Sequence, residues 1–160
     1  MSEWKETTLG NFLTFQRGFD ITKKQMAADG DYDVIFSSGI GGKHNEYKVE
    51  APGVVIGRKG TLGTVFYSES KFWATDTTLW IKDFHGNHPK FAYYFLHTLK
   101  LGQYDCGSAN PTLNRNHIHL LNIEVPILLE EQKRIADVLS CLDAKIDNLR
   151  WQNETLEEIA

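Results

Sequence analysis

The sequence predicts an α+β protein. A compact β-rich domain with a few short helices fills residues 1–128, and one long C-terminal helix, 129–160, follows it and pairs in a two-stranded coiled coil. Three observations carry this reading. Short runs of β-branched and aromatic residues, bounded by Gly, Pro, Asn and Asp, recur along the first 125 residues, the spacing of a β-rich domain. No Pro or Gly occurs after Pro126, so nothing interrupts a helix to the last residue. Within that stretch apolar residues repeat every three and then four positions, at Ile135, Leu139, Leu142, Ile146, Leu149 and Leu156, with Asn153 inside the pattern. A helix of some 31 residues spans about 46 Å, too long to bury its whole stripe against one small domain.

Taken in order, Thr8–Phe12 reads as a capped turn leading into a strand near Leu13–Arg17. Asp20 or Thr22 caps a brief helix ending near Asp29-Gly30. Tyr32–Phe36 reads as a strand and Ser37–Asn45 as a Gly-rich loop. Val54–Gly57 is the strongest strand, a β-branched run expected to be buried. Gly57–Gly63 makes a tight turn, and strands follow at Thr64–Tyr67, Phe72–Ala74 and Thr77–Lys82. His88-Pro89 opens a helix reaching about Leu101, Asn114 opens a short one, and Asn122–Val125 forms the last strand.

The net charge of −4 is unevenly placed. Residues 1–128 carry 13 basic and 13 acidic side chains, whereas 129–160 carry 4 and 8. A charge-balanced domain lacks the basic excess of a non-specific nucleic-acid binder, but it leaves room for a specific reader with local basic loops. No apolar run is long enough to cross a membrane, and the first residues show no secretory signal, so a cytoplasmic protein without a membrane partner is expected. Cys106 and Cys141 are far apart and read as reduced thiols.

Catalytic motifs are missing. There is no P-loop spacing and no Gly-x-Ser-x-Gly elbow, and the histidines have no metal-ligand spacing. Asn110–Arg115 lacks the second Pro and the aromatic of an amino-methyltransferase loop. The turn at Gly57–Gly63 is more informative, with Arg58, Lys59 and Thr61 on a glycine-framed loop. Such a turn suits phosphate oxygens, and an arginine there could read a guanine edge; taken alone, a plain turn with solvated charges is the commoner case. Thr77 suits a base contact or an Asx/Thr turn. In the long helix, Leu dominates d, with Gln132, Leu139, Ile146 and Asn153 at a, and an Asn at a fixes register at some cost in stability. Ile135, Leu139, Leu142, Ile146, Leu149, Asn153 and Leu156 are the expected interface, and the rival is a helix folded back on its own domain. Trp151, on the outer face, is either a lid on the neighbouring domain or a docking contact for another protein.

Together these pieces resemble the specificity subunit of a Type I restriction-modification enzyme. The resemblance rests on Trp4 with Leu9-Gly10, the Gly57–Gly63 turn, Phe72–Thr78, Gly107–Arg115, and Ile123–Pro126 running into Gln132, Ile135-Ala136, Leu142-Asp143 and Ile146. It implies a target recognition domain that reads one half of a bipartite site in double-stranded DNA without catalysis of its own. Ser38, Lys43, Arg58, Lys59, Thr61, Thr77 and Arg115 are the expected DNA contacts. It further implies a spacer helix in an antiparallel coiled coil that docks methyltransferase (modification) subunits, with a restriction/translocase subunit in the complex. S-adenosylmethionine, ATP and Mg²⁺ then belong to those partners, with no cofactor or metal in this chain. Family members usually carry two such domains and helices; this chain carries one of each. The expectation is therefore a half-subunit or a truncated form, its facing helix supplied by a second copy or a missing half. A coiled-coil scaffold that binds no DNA is the alternative, and a self-sufficient nuclease or methyltransferase the more distant one.

Overall fold

A computed structural model describes residues 3–107 and 109–159. The chain begins with β1 (Trp4–Thr8), a strand absent from the sequence reading, which pairs antiparallel with β9 (Asn122–Pro126) and so ties the two ends of the domain together. Its exposed, charged residues show no core-facing alternation, which is why the pattern hides it. Thr8 caps the short α1 (Leu9–Phe12) through its side chain.

A four-stranded antiparallel sheet follows, in the order β2 (Thr14–Arg17), β8 (Thr78–Asp83), β5 (Gly53–Gly57), β6 (Val65–Ser68). A smaller sheet orders β4 (Gly39–His44), β3 (Tyr32–Phe36), β7 (Phe72–Ala74), with β3 and β7 parallel. Here the sequence reading needs correction. Ser37–Asn45, expected to be a loop, is a two-residue turn followed by β4, whose glycines allow tight pairing with β3. The brief helix expected after Asp20 is a single 3₁₀ turn at Lys23–Gln25.

β5 is buried on both faces, as a continuous β-branched run requires. Val54 and Ile56 join Phe15, Leu79, Leu96 and Ile118 in the main core. Val55 points the other way, into a second core with Ile35, Phe72 and Ala74. The main core is closed by α2 (Pro89–Thr98), capped by His88 with Pro89 in its first turn, and by α3 (Arg115–His119), capped by Asn114.

The long helix α4 runs from Leu129 to Ile159, with Glu130 and Glu131 in its first turn where the helix dipole favours them. Only its root is held by the domain. Ala136 enters the main core, and the Tyr94 hydroxyl of α2 donates to Asp143 at 2.7 Å and lies 3.2 Å from the Ser140 hydroxyl. Gln132, placed in the heptad seam by its spacing, is instead a domain anchor at 1% exposure. Its carbonyl accepts from the His88 N–H at 2.8 Å, and its amide donates to Asn87 Oδ1 at 2.8 Å and Pro126 O at 3.0 Å. Beyond this root the stripe is open: Leu142, Ile146, Leu149 and Leu156 are all exposed, whereas Ile135 and Leu139 are half-buried.

Candidate nucleic-acid interface

The β5–β6 and β3–β4 turns, the β7–β8 connection and the Asn110–Arg115 segment meet at the end of β5. As the chain leaves Gly57, the Arg58 and Lys59 N–H groups donate to the Thr77 carbonyl at 2.8 and 3.1 Å. The Arg58 carbonyl accepts from Leu113 N at 2.8 Å, and Lys59 forms a bridge with Thr112, so the Asn110–Arg115 segment lies beside the Gly57–Gly63 turn. The β3–β4 turn joins through Ser37, whose N–H donates to Thr77 Oγ1 and whose carbonyl accepts from Thr64 Oγ1. Gly63 is required here, since its φ of +71° and its backbone packed on Gly102 leave no room for a Cβ.

This meeting point opens on a cleft of about 780 Å³. Arg17, Arg58, Lys82 and Arg115 line it, with Gln16, Thr112 and Asn114 between them, and Asp20 is the carboxylate among the lining residues. Arg17 is bridged to Asp20 at 2.7 Å and lies 3.6 Å from Asp76. Arg58 is half-buried and donates to the Asp76 carbonyl at 3.2 Å, which aims its guanidinium. Burial lowers its pKa, and the nearby Arg17 lowers it further while Asp76 opposes both. An arginine stays charged under such pressure, so the cleft holds crowded positive charge in a domain of zero net charge.

Of the expected contacts, Ser38, Lys59 and Thr61 are exposed on the converging turns, and Arg58 and Arg115 line the cleft. Thr77 is at the centre of the assembly, but its hydroxyl is engaged by Ser37 N and Thr75 Oγ1. Lys43 stands apart, at the far end of the β3–β4 hairpin, ion-paired with Asp33 at 2.6 Å. Sequence reasoning missed Arg17, Lys82 and Gln16, which reach the cleft through the pairing of β2 with β8. The one available signal was Arg17-Gly18 at a strand end, a mirror of Gly57-Arg58.

Two histidines of α3 serve different partners. His119 accepts from the Phe15 N–H through Nε2 at 3.0 Å, and burial lowers its pKa, with Arg115 adding to the effect. His117 Nδ1 lies 2.7 Å from the exposed Cys106 thiol. Among the described residues no three His, Cys, Asp or Glu side chains gather as a metal site, and no helix is long and apolar enough to cross a membrane. Trp151 is 65% exposed on the free part of α4.

Comparison with known proteins agrees with this architecture. A Mycoplasma pneumoniae protein described as a type I specificity subunit is 28% identical over 162 residues, covering 98% of this chain and 42% of that protein. The crystal structure of the type I restriction-modification S subunit from M. genitalium superposes with a TM-score of 0.80 at 20% identity, over 92% of this chain and 41% of that one. A chain from the structure describing complex assembly and conformational transition of the type I R-M system gives 0.74 at 16% identity, over 95% and 41%. At these identities the structural likeness speaks for the fold. The chain spans about two fifths of the length of each of these relatives. The family model for the type I restriction modification DNA specificity domain matches residues 1–158, and the chain belongs to that family.

Proposed function

We propose that this chain is a non-catalytic DNA-recognition unit of a type I restriction-modification complex, reading one half of a bipartite site with the face around Arg58. The observation that carries this is the convergence of Arg17, Arg58, Lys82 and Arg115 on one cleft of a charge-balanced domain. Arg58 is the candidate base reader, because its guanidinium is aimed by a backbone contact; Arg17, Lys59, Lys82 and Arg115 suit phosphates. Ser38 and Thr61 contribute hydroxyls from the turn tips, and Thr77 acts by locking the turns together. Lys43 joins only where DNA reaches past the hairpin.

The open seam of α4, Ile135, Leu139, Leu142, Ile146, Leu149, Asn153 and Leu156, pairs with a second copy as a coiled coil and sets the distance between half-sites. Exposed Trp151 docks a methyltransferase subunit. S-adenosylmethionine, ATP and Mg²⁺ are used by the methyltransferase and translocase partners, and the complex works in the cytoplasm, where its DNA is. Support comes from the family, from the S subunits of like fold and from the uncovered helix.

The test is selection from a random-duplex pool by the purified chain, with and without a methyltransferase partner. Selected and scrambled duplexes are then titrated at about 50 and 200 mM salt. A gapped motif bound more tightly than its scramble supports the reading, and no DNA affinity in any arm favours a plain scaffold. Arg58→Ala should weaken binding to the selected duplex by about 1–3 kcal/mol and relax one position of the motif.

A further inference from the structure

We propose that Asp20 is a specificity-determining residue of the DNA face: it holds Arg17 in the free chain and yields it only to a closely seated phosphate. This rests on the DNA-reading proposal above and adds to it a filter against wrong sequences.

Among the described residues, Arg17 is the cation of the cleft that ion pairs hold, whereas Arg58, Lys82 and Arg115 have none. The Arg17 Nη2 donates to Asp20 Oδ1 at 2.7 Å and lies 3.6 Å from Asp76 Oδ2. The local backbone fixes this arrangement. Gly18 N donates to the Thr78 carbonyl at 3.0 Å and Phe19 N to the Ala74 carbonyl at 2.8 Å. The residues between the two charges therefore lie against the β7–β8 connection. A Cβ at Gly18 would collide with the Thr75 and Ala74 carbonyls, so the close approach needs glycine. Asp20 is thus fixed at the cleft, and its exposed carboxylate takes no part in either core.

A carboxylate in that place competes with DNA for one guanidinium. Where Arg58 finds its base, the duplex seats deeply. A phosphate at hydrogen-bonding distance then replaces Asp20 with a charge-assisted contact of like strength. A duplex of the wrong sequence stands off with water between, and its screened phosphates do not displace a carboxylate already bonded to Arg17. Such a duplex is left with the exposed Lys59, Lys82 and Arg115 and gains nothing from Arg17. Removing the carboxylate frees Arg17 to reach any phosphate, so the gain falls on wrong sequences first.

Titration of the full chain tests this, with the duplex it selects and that duplex scrambled, each at about 50 and 200 mM salt. Asp20→Asn should tighten the scrambled duplex roughly three- to fivefold, the worth of an exposed ion pair, and leave the selected duplex within about twofold. The salt slope for the scramble should steepen by up to about 0.9, one further phosphate contact, while the selected duplex keeps its slope. Asp29→Asn makes the same change of charge outside the cleft lining and should move neither duplex. In an Arg17→Ala background, Asp20→Asn should have no effect. Equal tightening of both duplexes, an equal shift from Asp29→Asn, or an undiminished effect without Arg17 makes Asp20 a background charge and overturns the filter. A scramble that does not tighten overturns it as well. A wild-type chain that prefers no duplex over its scramble removes the DNA-reading proposal itself, and the filter with it.

Discussion

At the scale of single residues, the interface depends on side chains whose roles are set by backbone partners. Arg58 is held by the Asp76 carbonyl, and its loss should act on DNA affinity with little effect on folding. His119 has the reverse character. It accepts the Phe15 N–H as a neutral ring, and burial depresses its pKa below the ordinary 6.5. The unfolded chain therefore takes up the proton first as pH falls. His119 thus contributes stability that is fully present above about pH 6.5 and is lost as pH drops through the depressed folded value. Melting temperature between pH 8 and about pH 5 should fall accordingly. His119→Gln, which keeps an acceptor for Phe15 but does not titrate, should flatten that slope relative to wild type. His97, also lowered by burial though opposed by Asp143, leaves a residual slope of the same sign. None of this was legible in the sequence, where His117 and His119 differ only in the face they present.

At the scale of elements, what could be read follows from periodicity and what could not follows from pairing. Val54–Gly57, Phe72–Ala74 and the capped starts of α2 and α3 announce themselves by β-branching, aromatics and Pro or Asn signals. β1 and β4 do not, because one is polar and exposed and the other is half glycine, and each exists through its partner strand. The cleft shows the same divide. Arg58 and Arg115 belong to turns that stand out by composition, whereas Arg17 and Lys82 become neighbours only through the β2–β8 pairing. Gln132 is the instructive error, since its spacing fits the seam while its amide fits the domain. Gln132→Leu keeps the size but leaves the His88 N–H, the Pro126 carbonyl and Asn87 without their partner. A loss of about 1–3 kcal/mol in urea unfolding is expected. A change within experimental error would show that the α4 root is held by Ala136 and Tyr94 alone.

At the scale of the whole molecule, a globular domain is fastened to the first turns of a long helix whose apolar stripe is otherwise uncovered. The apolar stripe beyond Asp143 is legible in the heptad because, among the described residues, nothing of its own domain covers it. Asn153 is its polar exception. Asn153→Leu removes a polar side chain from the proposed seam, so sedimentation should give a tighter dimer. A dissociation constant equal to wild type would put Asn153 outside the contact. The attachment through Gln132, Ala136 and Tyr94 matters to the proposed pairing, because it would turn a helix length into a distance between two reading faces.

Under the proposed function, the double burial of β5 bears on how the chain can change what it reads. A strand that forms a wall of two cores tolerates little substitution, yet the residues it delivers at its end, Lys59 and Thr61, are exposed and belong to neither core. The same holds for Ser38 and Arg115 on the turns that meet it. Substitution at this rim of loop tips leaves both cores untouched, so under the proposed function a new target sequence could be read without the frame being rebuilt.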